Sequence, residues 1–342
     1  TIQKLNFIYE KPISMYNNQY HDAELSKYSF LVTGGAGFIG SNLVKYLLKY
    51  GAGKVRVLDN FLTGYRRNIE PFLDNPAFEL MEGDIRDIEV CKNALIGIDY
   101  VSHQAALGSV PRSIKDPITT NAVNISGFLN MIYAVKESGN IKRFIYAASS
   151  STYGSSQELP KIEGRIGKPL SPYAVTKYVN EVYADLFSRV YGLQSIGLRY
   201  FNIFGPGQSP ESEYAAAIPK FILAAKNGNT PVINGDGEQT RDFTFVENAV
   251  QANIRAFFIE NVPDVDSVYN IACGSQASLN QLWKEITGVL DVQIEPVYRE
   301  SQKGDVRHSL ANIDKAGNIL GYKPLIGFKE GIRTTIESFN YH

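Results

Sequence analysis

The chain has 342 residues, and its 34 Lys and Arg against 35 Asp and Glu leave a formal net charge of −1. This balance excludes a global basic field, so we expect neither nucleic acid nor a membrane as a partner. Hydrophobic content of 44% and charged content of 20% are ordinary for a soluble enzyme, and the length suits one large α/β unit with an added lobe.

Residues 1–27 show no secretory leader, and no apolar run approaches the roughly 18 residues of a membrane span. We expect these residues to form an N-terminal extension that precedes the fold proper. Cys91 and Cys273 lie far apart and belong to no metal-ligand spacing. Free thiols, no metal site and a cytoplasmic setting are therefore expected.

From residue 28 onward, short β-rich runs alternate with amphipathic helical stretches, which is typical of a doubly wound parallel sheet. Strands are predicted at 29–33, 55–58, 78–81, 100–102, 143–147 and 195–198. Helices are predicted between them at 39–50, 90–95, 120–137 and 173–191. The pattern indicates a Rossmann-like α/β domain over residues 28–202.

After residue 202 the pattern is less regular and turn clusters become frequent. A smaller C-terminal α/β lobe, mainly for substrate, is predicted over residues 203–342. The sequence leaves open whether some of its elements return to the first domain. Its predicted elements are short strands near Val232 and Tyr269 and helices at 218–226, 246–260, 279–288 and 329–339.

A glycine-rich loop follows the first predicted strand directly and opens a helix. Gly34, Gly37 and Gly40 form GxxGxxG, a variant of the dinucleotide-binding fingerprint. Glycine lets backbone N–H groups approach a pyrophosphate, and the helix N-terminus favours the anion. The loop therefore predicts a dinucleotide site.

An acidic residue, Asp59, ends the second predicted strand nineteen residues after Gly40. Its carboxylate can accept hydrogen bonds from ribose hydroxyls and would repel a 2′-phosphate, so NAD is favoured over NADP. Arg66 and Arg67 keep the NADP alternative open. The pair Asp84-Ile85 follows the third strand. It either contacts the adenine edge of the cofactor or simply caps the next helix.

Tyr173 and Lys177 are four residues apart in a predicted helix, so both side chains lie on one face. The ammonium would lower the pKa of the phenol, which makes the tyrosine a proton-transfer group. Ser149, Ser150 and Ser151 end the fifth strand at the sheet edge where ligands bind. A hydroxyl there can share a proton with the tyrosine. Counting along the strand favours Ser149, and the other two remain candidates.

These motifs, in this order, resemble the extended short-chain dehydrogenase/reductases and, more closely, their nucleotide-sugar 4-epimerases. The resemblance covers nearly all residues from about 28 onward. Further motifs that carry it are His103-Gln104-Ala105-Ala106, Asn121 with Asn124, Ser149-Ser150-Ser151-Thr152-Tyr153-Gly154, Arg199-Tyr200-Phe201-Asn202-Ile203-Phe204-Gly205-Pro206 and Arg241-Asp242-Phe243.

The resemblance implies which positions contact each partner. It places NAD at Gly34, Gly37, Phe38, Ile39, Asp59, Asn60, Asp84, Ile85, Gln104, Ala105, Ala106, Asn124, Tyr173, Lys177 and Tyr200. It places a UDP-sugar at Gly108, Ser149, Ser150, Ser151, Tyr173, Asn202, Ala217, Lys220, Arg241, Asp305, Arg307 and Ser309. Two guanidinium groups suit a diphosphate because each can bond bidentately. The resemblance also brings His103 near the nicotinamide, without an acid–base role.

The resemblance implies an NAD-dependent UDP-sugar 4-epimerase that works through a transient 4-keto intermediate. Sugar-nucleotide dehydratases of this superfamily carry an acidic pair just after the strand-end Ser or Thr, where this chain has Ser150, Ser151 and Thr152. Elimination of water is therefore not expected. Narrow-specificity UDP-galactose 4-epimerases have a bulky tyrosine where this chain has Ser309. The serine favours UDP-N-acetylglucosamine and UDP-N-acetylgalactosamine as the substrate pair.

Several alternatives stay open from the sequence. A UDP-glucuronate or UDP-glucose 4-epimerase, or an oxidoreductase using free NAD(P), would share these motifs. A non-catalytic NAD-sensing Rossmann protein is the alternative of another class. The helices predicted at 120–137 and 173–191 resemble those that form a four-helix interface in this family, so a homodimer is expected.

Overall fold

The computed structural model describes residues 15–211, 216–260, 267–300 and 307–339. In these ranges the strands are β1 Ser29–Thr33, β2 Lys54–Asp59, β3 Phe78–Glu82, β4 Tyr100–His103, β5 Arg143–Ser149, β6 Ser195–Tyr200, β7 Ile203–Phe204, β8 Val232–Asn234, β9 Thr240–Arg241, β10 Thr244–Phe245, β11 Val268–Ile271, β12 Ala277–Ser278 and β13 Val297–Arg299. The central sheet is parallel, in the order β11-β6-β5-β4-β1-β2-β3. This arrangement confirms the predicted Rossmann-like fold.

The helices flank the sheet and build the lobe. They are α1 Phe38–Lys49, α2 Ile88–Ala94, α3 Val110–Lys115, α4 Pro117–Asn121, α5 Phe128–Ser138, α6 Pro172–Tyr191, α7 Ala217–Lys226, α8 Val246–Phe258, α9 Leu279–Leu290, α10 Asp314–Leu320 and α11 Phe328–Ser338. Across the described ranges, no helix combines the length and the apolar character that crossing a membrane requires.

Successive side chains of each strand point to opposite faces of the sheet. Apolar cores cover both faces, so the sheet is buried on both sides. Phe30 of β1 packs on one face with Val55 and with Val250 of α8. The next residue, Leu31, packs on the other face with Val101 and with apolar residues of α5 and α6. This continuous apolar pattern explains why the sequence predicts the strands well.

The helix predicted at 120–137 is present, but its hydrogen-bonding pattern changes along its length. A π-helical turn at Ala122–Gly127 lies between α4 and α5, and the backbone stays helical through it. A Cβ atom at Gly127 would lie 2.7 Å from Cδ1 of Ile85, so the backbone here packs closely against that side chain. The prediction therefore gave the helix but not its π-helical turn, and α3, which precedes α4, was not predicted.

Three elements from beyond residue 202 complete the central body: β11, α8 and α10, whose Ala316 and Leu320 belong to the same core as α8. Strand β11 pairs with β6, and α8 packs on the same sheet face as α1. The lobe has its own core, in which Phe204 and Phe245 meet side chains of α7, α9 and α11. The lobe is thus built from segments on both sides of β11 in the chain, since α7 precedes that strand and α9 and α11 follow it.

Residues 15–27 pack against the body. Tyr16 is 0%, Tyr20 3% and Leu25 2% exposed, and all three belong to the core that contains α1 and α8. The segment that the sequence placed ahead of the fold therefore contributes to its core from Met15 onward.

Candidate active site

A cleft of about 510 Å³ opens at the carboxyl ends of the central strands, where open α/β sheets bind their ligands. The described residues that line it include many of the predicted positions: Gly34, Gly37, Phe38, Ile39, Asp59, Asn60, Ile85, Gln104, Ala105, Ala106, Gly108, Ser149, Ser150, Tyr173, Lys177, Tyr200 and Asn202. The structure therefore gathers the glycine loop, the acidic strand end and the Tyr–Lys pair in one cavity.

The glycine loop forms a cradle that side chains would fill. Gly34 has φ +67°, and a Cβ there would lie 2.7 Å from the backbone nitrogen of Ala105. At Gly40, a Cβ would lie 2.3 Å from the carbonyl oxygen of Gly34. Helix α1 begins after Gly37 without a side-chain cap, so its first N–H groups are available to an anion. The donor set fits a dinucleotide pyrophosphate.

Asp59 lies at the end of β2 and is fixed by the backbone. Its Oδ2 accepts from the Ala36 N–H at 2.9 Å, and its Oδ1 accepts from the Phe61 N–H at 2.8 Å. Burial raises the pKa of this carboxyl, and the two hydrogen bonds oppose that rise. Each oxygen retains an acceptor site for ribose hydroxyls.

The two arginines that left NADP as an alternative cofactor form ion pairs with other residues. Arg66 pairs with Glu82 and stacks over the Phe61 ring at 4.3 Å. Arg67 pairs with Glu211 at 3.0 Å. Because neither lines the described cleft, the geometry favours a cofactor without a 2′-phosphate.

Asp84 does not itself line the cleft, although its neighbours Gly83 and Ile85 do, so its contact with the cofactor stays a prediction. Its Oδ2 accepts from Asn60 Nδ2 at 2.8 Å, and the Arg86 guanidinium bonds to both of its oxygens. Those bonds to Arg86 lower the pKa of Asp84 to about 2, with burial opposing. Asp84 therefore positions Asn60, while Ile85 lines the cavity.

The proton-transfer pair meets the serine cluster at the end of β5. The Ser149 side chain lies close enough to the Tyr173 hydroxyl to oppose the rise of the tyrosine pKa that burial causes. Ser151 lies behind, donating from its Oγ to the Ser149 Oγ at 2.8 Å. Ser150 lines the cleft, and Lys177 donates from Nζ to the Ala147 carbonyl oxygen at 2.8 Å. Ser149 is thus the serine that contacts the tyrosine.

Burial controls the protonation of this pair. It raises the pKa of Tyr173, although the Ser149 side chain lowers it. It also lowers the pKa of Lys177 to about 8, and the charge of Glu181 opposes this shift. The predicted lowering of the tyrosine pKa is therefore wrong for the protein alone, because removing the phenol from water outweighs the neighbouring groups.

A buried ion pair that the sequence analysis missed supports this corner. Arg199 of β6 donates to both carboxylate oxygens of Glu181, at 2.9 and 2.7 Å. Thr152 donates to Glu181 at 3.3 Å and to the Ser149 carbonyl oxygen at 2.6 Å. The pair links α6, β6 and the serine turn. Its signal in the sequence is the position of Glu181, one helical turn after Lys177.

His103 is a structural residue here. Its Nδ1 lies 2.9 Å from the Thr33 hydroxyl, and its ring contacts Phe128 and Phe144. Burial, followed by the charge of Lys177, lowers the pKa of His103 to about 3. The imidazole is therefore neutral near pH 7, in agreement with the absence of an acid–base assignment.

Asn124 is buried and does not itself line the cleft, so its contact with the cofactor stays a prediction. Its Oδ1 accepts from the Leu107 N–H at 2.8 Å, and its Nδ2 donates to Thr176 at 3.1 Å. It therefore holds the loop after β4 against α6. This asparagine lies in the π-helical turn, a feature that is frequent at functional sites.

Tyr200 and Gln104 line the cleft and share a polar network. The Tyr200 hydroxyl accepts from Asn253 at 2.8 Å and from Gln104 at 3.2 Å. Burial raises the pKa of Tyr200 to about 12. Asn253, on α8, was not predicted because it lies far along the chain from both partners.

The remaining substrate candidates do not line the described cleft. The Thr240 N–H donates to the Arg307 carbonyl oxygen at 3.0 Å, and the Ser309 N–H donates to the Thr240 carbonyl oxygen at 3.2 Å. Arg241, Arg307 and Ser309 therefore lie together beside β9. The Arg307 guanidinium pairs with exposed Asp236 at 2.7 Å.

Two further substrate candidates come from the start of a helix in the lobe. Ala217 and Lys220 lie on the first turn of α7. Asp305 is outside the described residues. Asn202, which does line the cleft, has φ +40° and donates to the Asp242 carbonyl oxygen at 3.4 Å.

The sequence analysis missed the loop after β2, from which Leu62, Thr63 and Gly64 line the cleft. At Gly64 a Cβ would lie 3.0 Å from Oδ2 of Asp59, so this glycine lets the loop approach the acidic strand end. A glycine five residues after that aspartate was the available signal.

The comparisons with known proteins agree with this geometry. The model of the NAD dependent epimerase/dehydratase family matches residues 30–272. A putative UDP-glucose 4-epimerase of Methanocaldococcus jannaschii is 36% identical over 90% of this chain and 96% of its own.

Two solved structures share the fold over nearly their whole length. The UDP-N-acetylglucosamine 4-epimerase from Methanobrevibacter ruminantium is 39% identical, with a TM-score of 0.85 over 92% of this chain and 98% of its own. The UDP-glucuronic acid 4-epimerase from Bacillus cereus, in complex with UDP-glucuronic acid and NAD, is 29% identical, with a TM-score of 0.84 over 92% and 99%.

Proposed function

Because the chain belongs to the NAD-dependent epimerase/dehydratase family, we propose that it is a UDP-sugar 4-epimerase that interconverts UDP-N-acetylglucosamine and UDP-N-acetylgalactosamine. NAD is the cofactor of this family, as the sequence predicted from Asp59. The observation that carries the reaction is that Tyr173, Ser149 and Lys177 line one cleft together with the glycine cradle.

The residues of the cleft suit the pyrophosphate and both riboses of NAD. The N–H groups at the start of α1, beside Gly34 and Gly37, hold the pyrophosphate, and Asp59 accepts from the adenosine ribose. Lys177 bonds the nicotinamide ribose. When bound, the cofactor supplies the redox chemistry, taking a hydride from the sugar and returning it.

The protein's own groups move the proton. Tyr173, as phenolate, accepts the proton of the sugar O4 directly or through Ser149, and the 4-keto sugar results. Lys177, with a pKa of about 8, is mostly protonated near pH 7, so its charge stabilises the phenolate. After the ketone presents its other face, Tyr173 returns a proton to O4. Configuration at C4 inverts without net oxidation.

The sugar preference rests on Ser309. Its backbone contacts Thr240 next to Arg241, the residue assigned to the diphosphate. A small side chain at this position leaves room beside C2 for an N-acetyl group. The similarity to the Methanobrevibacter ruminantium enzyme supports this substrate pair. UDP-glucose and UDP-glucuronate are the alternative substrates, since relatives of both kinds share the fold.

Arg241 and Arg307 are assigned to the substrate diphosphate. Their backbones adjoin through the Thr240 hydrogen bond, so both guanidinium groups start from one edge of the lobe. Arg307 reaches the diphosphate by exchanging its exposed partner Asp236, because an exposed ion pair of this kind stabilises little. Asn202 approaches the same group from the cleft.

A homodimer accounts for the apolar surface of α6. Val175, Val182, Leu186 and Val190 are 44%, 50%, 39% and 57% exposed, and their spacing places them along one side of the helix. Ile118 of the neighbouring α4 is 80% exposed. A second copy covers such a surface well, because a two-fold axis lets α6 pack against itself.

Incubation with a panel of UDP-sugars, without added NAD, tests the function. NMR of the C4 proton should show interconversion of UDP-N-acetylglucosamine and UDP-N-acetylgalactosamine, faster than that of UDP-glucose or UDP-glucuronate. An oxidoreductase would need added cofactor, and a non-catalytic NAD-binding protein would retain NAD without converting any sugar. If no sugar in the panel is epimerised, the proposal is refuted.

A further inference from the structure

The segment of residues 15–21 packs against α1 and α8 and contains a strained residue. Tyr16 is 0% exposed and has φ +62°, a left-handed conformation that tyrosine rarely adopts. Such a conformation is strained and persists where surrounding contacts hold it. The contacts of Tyr16 are therefore informative.

Hydrogen bonds fix Tyr16 at its backbone and at its side chain. Its N–H donates to Oε1 of Glu247 at 2.9 Å, and its carbonyl oxygen accepts from the Tyr50 hydroxyl at 2.9 Å. Its own hydroxyl donates to Oδ1 of Asn42 at 2.7 Å, and its ring meets Tyr46 edge to face. The tyrosine thus joins α8 to α1.

Asn42 extends this connection to the cofactor cleft. Its Nδ2 donates to the Phe38 carbonyl oxygen and to the Pro206 carbonyl oxygen, both at 2.9 Å. Phe38 begins α1 and lines the cleft, and Pro206 lies in the turn just after β7, whose Ile203 also lines it. One buried carboxamide therefore ties the first turn of α1 to the lobe.

We infer that Tyr16 is a positioning residue for the NAD site and acts through Asn42. The hydroxyl bond to Oδ1 orients the carboxamide so that its Nδ2 reaches both carbonyl oxygens. The first turn of α1 is thereby held at a fixed distance from the turn at Pro206, and the pyrophosphate cradle keeps its shape. The inference rests on the family's cofactor and does not depend on which sugar is the substrate.

The test compares Tyr16→Phe with Tyr20→Phe in the NAD-loaded protein. Both remove one hydroxyl from a buried tyrosine of the same segment, but that of Tyr20 bonds to Glu247 and does not reach Asn42. Release of NAD should be about fivefold to tenfold faster in Tyr16→Phe, the effect of one lost buried hydrogen bond, and unchanged in Tyr20→Phe. Thermal unfolding is measured in parallel, and both variants should lose some stability.

A second variant keeps Tyr16 intact. Asn42→Asp preserves the oxygen that accepts from Tyr16 and replaces the donor to Phe38 and Pro206 with an oxygen, so it should also speed NAD release. In an Asn42→Ala background, Tyr16→Phe should increase the rate of NAD release little further. The inference is overturned if Tyr16→Phe and Tyr20→Phe release NAD at the same rate. It is also overturned if Tyr16→Phe speeds NAD release as much in the Asn42→Ala background as in the wild type. A wild-type protein without bound NAD would instead refute the cofactor.

Discussion

Lys177 donates a 2.8 Å hydrogen bond from Nζ to the carbonyl oxygen of Ala147, two residues before Ser149, whose side chain lies beside the Tyr173 hydroxyl. The cation and the phenol on α6 are therefore both tied to the last residues of β5. Because a strand in the middle of a parallel sheet is rigid, the relative position of the two groups is set by backbone rather than by flexible side chains.

Tyr173→Phe removes the hydroxyl that transfers the proton and leaves the ring in place. We expect kcat to fall by about 10²- to 10⁴-fold while NAD stays bound. NMR of C4 epimerisation measures the rate, and absorbance of the purified protein measures the bound cofactor. The control is Tyr298→Phe, which deletes an exposed hydroxyl that bonds to Asn280. Full activity in Tyr173→Phe would remove the mechanism.

His103 should make the fold sensitive to acid. Its pKa is lowered to about 3 in the folded protein, chiefly by burial, and is about 6.5 in an unfolded chain. A lowered pKa means that the associated stability is present above about pH 6.5 and is lost as the pH falls towards 3. At pH 5 this loss amounts to about 2 kcal/mol.

His103→Gln should remove that part of the acid sensitivity. The free energy of unfolding, measured in urea, should fall between about pH 7 and pH 5 by about 2 kcal/mol less in the variant than in the wild type. Exposed His308 provides the control, and His308→Gln should keep the wild-type dependence. Equal acid sensitivity of His103→Gln and wild type would contradict the prediction.

Val182→Glu should dissociate the proposed dimer. Val182 is 50% exposed in the middle of the apolar side of α6, and a two-fold axis would bring two introduced carboxylates close together. Sedimentation equilibrium should report a dimer for the wild type and a monomer for the variant. Leu223→Glu, on α7 and 39% exposed, should leave the mass unchanged. A wild-type monomer would refute the dimer.

Ser309→Tyr should narrow the substrate range. The larger side chain would occupy the space that an N-acetyl group needs, so kcat/KM for UDP-N-acetylglucosamine should fall at least about tenfold, with UDP-glucose little affected. Ser309→Ala is the matched control and should preserve the preference. If both sugars lose activity equally in Ser309→Tyr, the residue does not determine the sugar.

The central sheet could be predicted because its determinants are local. Each buried parallel strand is a short apolar run, and the turn after β1 needs glycine for reasons that the sequence displays, as at Gly34. The same holds for Asp59, because its place follows from the end of β2. Residues that directly follow or end a strand, such as Asp59, Gln104 and Ser149, therefore line the cleft as predicted.

Other features depend on contacts that are distant along the chain. The π-helical turn reflects the packing of Gly127 against Ile85, and the role of Asn124 depends on Leu107. The burial of Tyr16 depends on Glu247, 231 residues away. No periodicity in residues 15–27 signals that partner. Sequence patterns miss such features because the contact exists only after the chain has folded.

Strand β11 constrains how the chain can be assembled. It is the last strand of the central sheet to be synthesised, so the outer edge of β6 stays unpaired until residue 271 has left the ribosome. During that interval the nascent chain carries an open edge that other chains could pair with. A fragment cut at residue 202 would keep that edge permanently. Dividing the enzyme into a cofactor half and a sugar half would therefore cut the sheet itself.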